Sequence, residues 1–133
     1  MSFKVVNGLR TIEFGTPGEM RDRLNALVID GGKRATAATL QEYLDEGEFI
    51  ESIGEELYLL DNEGNAVAKV RITGVTQCSF ADVPDRFALA EGEGDLNGED
   101  FRKSHREYWS RVGNVINEET QVVLLYFNLI EKY

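Results

Sequence analysis

Asp30-Gly31-Gly32-Lys33-Arg34-Ala35-Thr36-Ala37-Ala38-Thr39 is the stretch from which the rest of the chain is read. Two glycines stop an apolar helix pattern, and glycine is the residue that most often closes a helix. A lysine and a threonine follow, three residues apart, in a run of small side chains. Small residues leave room for a ligand. Lysine offers a cationic donor, and threonine a hydroxyl that can bind or attack. The plainer reading of the same letters is a helix cap, a turn and a second helix.

Upstream, Thr11-Ile12-Glu13-Phe14 alternates as a half-buried strand does, within a strand-like region over 3–14 that Gly15 ends. Thr16-Pro17-Gly18-Glu19 reads as a helix start: Thr16 caps, Pro17 takes the first helical position and Glu19 completes a capping box. Met20, Leu24, Leu27 and Val28 then recur at helical spacing, so a helix over 17–30 points them inward and leaves Arg21, Asp22, Arg23 and Asn25 outward.

Downstream, Thr39-Leu40-Gln41-Glu42 is a second capping box, opening a short helix to Asp45 that carries Tyr43. Glu46, Glu48, Glu51, Glu55 and Glu56 read as a solvated connection. Leu57–Leu60 and 66–77 form a hairpin around the turn Asp61–Asn65. Ser79–Pro84 is a short helical or turn segment, and Asp85–Glu91 is helical with Phe87 and either Leu89 or Ala90 inward. Asn97 caps a helix over 98–111 that sets Phe101, His105, Tyr108, Trp109 and Val112 on one side. Val122–Ile130 is the clearest strand and a central one. The order of elements predicts one α+β domain over 1–133, with the sheet curled into a small β-barrel and helices flanking it.

The chain has 133 residues and a net charge of −10. That charge repels a long phosphate backbone and favours a small or locally docked ligand over the coating of long DNA. The apolar runs are too short to span a bilayer, so no membrane partner is expected. Met1–Asn7 lacks the apolar core of a secretory signal. The single cysteine, Cys78, cannot form an internal disulfide, which fits a cytoplasmic setting. One cysteine and one histidine do not make a typical zinc site, so no metal and no cofactor are expected.

Familiar nucleotide motifs fail. Gly32-Lys33 lacks the spacing of a Walker loop, and Gly92, Gly94 and Gly98 miss the dinucleotide register by one residue. What remains is a union of two distant stretches, Lys33 with Thr36 and the glycine-broken acidic loop Glu91-Gly92-Glu93-Gly94-Asp95.

Gly31-x-Lys33-x-x-Thr36 resembles the G-x-K-x-x-T signature of the ASCH domain family, relatives of the RNA-binding PUA fold. The likeness extends over residues 11–131. It takes in Phe14-Gly15, the helix into Gly31, the hairpin of Leu57–Asp61 and Val67–Val75, Phe87-Ala88-x-Ala90-Glu91-Gly92-Glu93-Gly94-Asp95 and the last apolar strand, in the order of a longer bacterial branch. The resemblance implies a PUA-like β-barrel with flanking helices and a cleft lined by the signature. It implies a nucleoside or short RNA as partner. A short bacterial branch with similar motifs removes the acetyl group of N4-acetylcytidine with a lysine, a threonine and a glutamate, roles that fall on Lys33, Thr36 and Glu91. Another branch is a ribonuclease, and an RNA-binding module is the further alternative for the same cleft. In such a cleft Arg34, Tyr43, Arg86 and Glu93 are the substrate-binding candidates. Two departures stand out: Ala38 replaces an arginine that many members carry after the threonine, and Leu125 stands near the place of a glutamate in the last strand.

Overall fold

The computed structural model describes residues 4–133; Met1 to Phe3, which open the segment read as unlike a signal and the region 3–14, lie outside them. The elements are β1 (Val5–Val6), β2 (Leu9–Ile12), α1 (Glu19–Ile29), β3 (Ala35–Thr39), α2 (Leu40–Glu46), β4 (Glu56–Leu60), β5 (Ala66–Ser79), a 3-10 turn (Phe80–Asp82), α3 (Asp85–Glu91), α4 (Gly98–Arg111) and β6 (Gln121–Lys132). They form a mixed α+β fold around one six-stranded sheet, ordered β1-β2-β4-β5-β6-β3.

β6 organises this sheet. Val123, Leu125 and Phe127 point to one face and join Ile12, Leu24, Val28, Leu57 and Val70 in one core. Val122 and Leu124 point to the other and join Phe80, Phe87, Phe101 and Trp109 in a second. A strand covered on both faces reads as a continuous apolar run, which is why this stretch was the plainest in the chain. β6 pairs antiparallel with β5 along nearly its whole length and with β3 on its other side, where Thr36 faces Leu125.

The expected barrel is not formed; the sheet is open. Closure requires the two edge strands to pair. One edge here, β1, is two residues long, and at the other edge Thr39 turns β3 directly into α2. That turn is capped as expected, since the Thr39 hydroxyl accepts from the Glu42 amide at 3.2 Å. Asn97 likewise caps α4 by accepting from the Asp100 amide at 2.8 Å.

Three local expectations are corrected. The Lys33–Thr39 stretch leads into a strand, not a turn between helices, because β6 supplies the hydrogen bonds that small side chains do not specify. Thr16 does not cap α1: Gly18 is its N-cap, Asn62 accepts the Gly18 amide from across the fold at 2.7 Å, and the Thr16 hydroxyl contacts Met20 Sδ. Arg21 and Asn25 are buried, not outward. Arg21 donates to the carbonyls of Phe14 and Gly15, and Asn25 donates to the carbonyl of Leu60. Strand ends that enter the interior leave carbonyls without ladder partners, and these side chains supply the missing donors. At the end of α3, Ala90 packs against the second core while Leu89 is exposed.

The acidic connection is only partly solvated. Glu51 is buried and accepts from the Tyr43 hydroxyl at 2.6 Å, and burial pushes the titration of both groups up. Glu55 instead meets Arg10 in a two-pronged pair, with both N–O distances 2.7 Å, and the guanidinium holds its carboxyl below the ordinary 4.5. A carboxyl lowered by folding contributes stability above its unfolded pKa and loses it as pH falls through the folded value. Urea unfolding across the acid range should therefore show wild-type stability falling below pH 4.5, with a shallower fall in Glu55→Gln.

Candidate functional site

The Lys33 amide closes α1 by donating to the Leu27 carbonyl, and Gly31 before it has a left-handed φ of 87°. The chain then enters β3, and the Lys33 side chain turns back under it. Its Nζ donates to the Ala35 carbonyl at 2.7 Å and to Glu93 Oε2 at 2.6 Å. It lies 5.1 Å from the centre of the Phe14 ring, which stacks in turn on Phe127. Only 1% of Lys33 is exposed. A lysine so enclosed requires close anionic and dipolar partners, and here they are present.

Glu91 is the second buried charge, also 1% exposed. Its Oε2 is 3.8 Å from Lys33 Nζ and 3.4 Å from His105 Nε2, while its Oε1 is buried without a hydrogen-bond partner among the described residues. The direct bond to the lysine thus comes from Glu93, and Glu91 stands one step further off. Burial lowers the His105 pKa, but hydrogen bonding of the ring to the Glu91 carboxylate and the charges of Glu91 and Glu93 outweigh it, so the net shift is upward from 6.5. The His105 ring stacks on Phe101 at 3.9 Å between centres.

These groups border one cavity of about 470 Å³ between the sheet, α4 and the turn before α1. Thr36, Lys33, Glu91 and Glu93 all line it, together with Asp95, Ser104, His105 and Tyr108. This size is ordinary for a site that takes a small organic ligand. Arg34, Tyr43 and Arg86 are not among the lining residues. Arg34 is exposed, with its guanidinium beside Gly31, and contributes through its amide, which donates to the Ala90 carbonyl at 2.6 Å. Arg86 is exposed on α3, and Tyr43 is buried against Glu51. Ala38 and Leu125, the two departures, are both core residues.

Sequence pattern does not mark His105 or Asp95 as site residues. The four-residue step from Phe101 puts His105 on the inward face of α4 but does not reveal that this face borders a cavity. A carboxylate count would have found more than a count of cysteine and histidine did, because Glu91, Asp95 and His105 bring ligand atoms within 4.8 Å of one another.

A family model described as the ASCH domain matches residues 10–131. The fold is similar to a solved structure of a protein from Enterococcus faecalis V583, with 27% identity, 91% of this chain and 76% of that one covered, and a TM-score of 0.79. It is similar to an ASCH domain from Lactobacillus crispatus JV V101, with 26% identity, 90% and 77% coverage and a TM-score of 0.77. An ASCH protein from Zymomonas mobilis, 7% identical over 84% of this chain and 66% of that one, shares the fold alone, with a TM-score of 0.56. A search of the curated proteins finds no match.

Gly92 holds the two halves of the site together. It caps α3 at φ 67°, and a Cβ there would land on the Gly32 carbonyl. Gly47 caps α2 at φ 66° with open space around it. Gly47→Ala should cost only the left-handed penalty, about 1 kcal/mol. Gly92→Ala should cost at least about 2 kcal/mol more, because backbone must move. Paired urea titrations measure the difference.

Proposed function

The chain belongs to the ASCH domain family, and from that premise we propose that it is a hydrolase of a modified nucleoside, cleaving an amide of the N4-acetylcytidine type. The observation that carries this reading is that Lys33, Thr36 and Glu91 line one cavity, although the segments that supply them are far apart in sequence.

In this reading the Thr36 oxygen adds to the acetyl carbonyl carbon and its proton passes to Glu91. The Lys33 ammonium meets the negative charge that develops on the carbonyl oxygen. Two of its three donors are already committed to Glu93 and Ala35, so it is held in place before substrate arrives. Collapse of the adduct breaks the carbon–nitrogen bond, and the cytosine amine leaves with the proton from Glu91. Water then cleaves the acetyl-threonine ester, releasing acetate and restoring the hydroxyl.

The lining charge supports a neutral nucleoside over a polyanion. Glu13, Glu42, Glu91, Glu93, Asp95 and Glu107 face Arg23, Lys33 and Arg111, so carboxylates outnumber cations. A phosphodiester entering this cavity meets repulsion that a nucleoside does not.

The test is acetate release from N4-acetylcytidine, with short single-stranded RNA in parallel. Wild-type turnover should fall ~10²-fold or more in Lys33→Ala and in Thr36→Ala. Lysine-dependent RNA cleavage, or salt-sensitive RNA binding without acetate release, would overturn the amide reading in favour of the ribonuclease or the binding module.

A further inference from the structure

Glu91, Asp95 and His105 offer ligand atoms that lie within 4.8 Å of one another. The histidine is held as metal-binding histidines are. Its Nδ1 lies 3.2 Å from the Phe101 carbonyl, one turn back on α4, and 3.3 Å from the Ser104 oxygen. The one hydrogen of Ser104 is claimed by Asp95 Oδ2 at 2.8 Å. Nδ1 therefore meets acceptors and is the protonated nitrogen. That tautomer turns the Nε2 lone pair toward Glu91 Oε2, 3.4 Å away. A lone pair facing a carboxylate needs a positive centre near it, either a proton or a cation.

Two further observations favour a cation. Glu91 Oε1 is buried with no hydrogen-bond partner among the described residues, a costly state for a carboxylate oxygen. A single proton between His105 and Glu91 leaves that oxygen unserved and Asp95 with the Ser104 hydroxyl as its donor, whereas a metal can draw on all three side chains. The charge count points the same way. Three carboxylates, Glu91, Glu93 and Asp95, stand against the single lysine Lys33, so acidic groups remain in excess even with His105 protonated. Lys33 is committed on the Glu93 side, where its bond is 2.6 Å long.

We propose that Glu91, Asp95 and His105 form a binding site for a divalent transition-metal ion such as Zn²⁺. One imidazole with two carboxylates favours such an ion over Mg²⁺, which prefers oxygen alone and keeps its waters. The Phe101 carbonyl and the Ser104 hydroxyl are the outer partners that aim His105 and Asp95. Binding is independent of the hydrolase reading. A consequence that does rest on that reading is slow hydrolysis by the loaded protein, because the metal occupies the carboxylate that would carry the proton.

The experiment titrates the metal-free full chain with Zn²⁺ by calorimetry and with Co²⁺ by tryptophan emission, without substrate. Trp109 is the only tryptophan and its ring centre is 5.2 Å from that of His105, so paramagnetic Co²⁺ at the site should quench it. The expected result is saturable one-to-one binding by both ions. It should weaken at least ~10-fold in His105→Gln and in Asp95→Asn, while Mg²⁺ fails to compete. Circular dichroism establishes that each variant is folded, and Asp95→Asn carries the test if His105→Gln is not. Absence of saturable binding, or binding unchanged in the folded variants, would overturn the site. In the first case the centre between His105 and Glu91 is a proton.

Discussion

The contact of the Gly92 backbone with the Gly32 carbonyl is the constraint on which the rest of the site depends. With no side chain between them, the end of α3 rests directly on the strand entry. The Arg34 amide then reaches the Ala90 carbonyl at 2.6 Å. Glu91 and Glu93, on either side of Gly92, are thereby brought to Lys33. A larger residue at 92 would push both carboxylates away from the one buried ammonium in the cavity.

Electrostatics explains why that approach has to be so close. Lys33 and Glu91 are both enclosed, and burying either alone would cost several kcal/mol. Glu93 and the Ala35 carbonyl satisfy the ammonium, and the Phe14 face adds a weaker attraction from below. Glu91 is less completely served: one oxygen lies near Lys33 and His105, and the other has no partner among the described residues. The charges of the site are thus unevenly compensated, with the deficit on the α3–α4 side of the cavity.

Much of the fold was legible in the letters because the relevant signals are local. The run Val122–Ile130, the hairpin strands and the caps at Thr39 and Asn97 follow from pattern and hydrogen-bonding chemistry confined to a few residues. The readings that failed depend on distant partners. Ala35–Thr39 carries little strand preference of its own and is a strand because β6 lies beside it. Arg21 and Asn25 look like surface residues until the carbonyls of Phe14, Gly15 and Leu60 are placed near them. Barrel closure was expected from the order of elements and again from family likeness, yet it depends on edge strands whose lengths sequence pattern does not set. In the site, the motif stretches led to Lys33, Thr36, Glu91 and Glu93 on one cavity. Arg34, Tyr43 and Arg86 lie elsewhere, since residue type alone does not say which way a side chain faces.

The bond between Lys33 and Glu93 joins positions 60 residues apart in the chain. Closing a flexible loop of that length costs roughly 4 kcal/mol of entropy before any reward. One hydrogen bond does not repay that, so the pair depends on the ordered framework of β4, β5 and the two cores between its ends. Partly folded chains would therefore lack the assembled pocket even with α1 and α4 formed. Assembly of the cavity would then report on completed folding, and a refolding experiment scored by the burial of Lys33 would lag behind one scored by helix content.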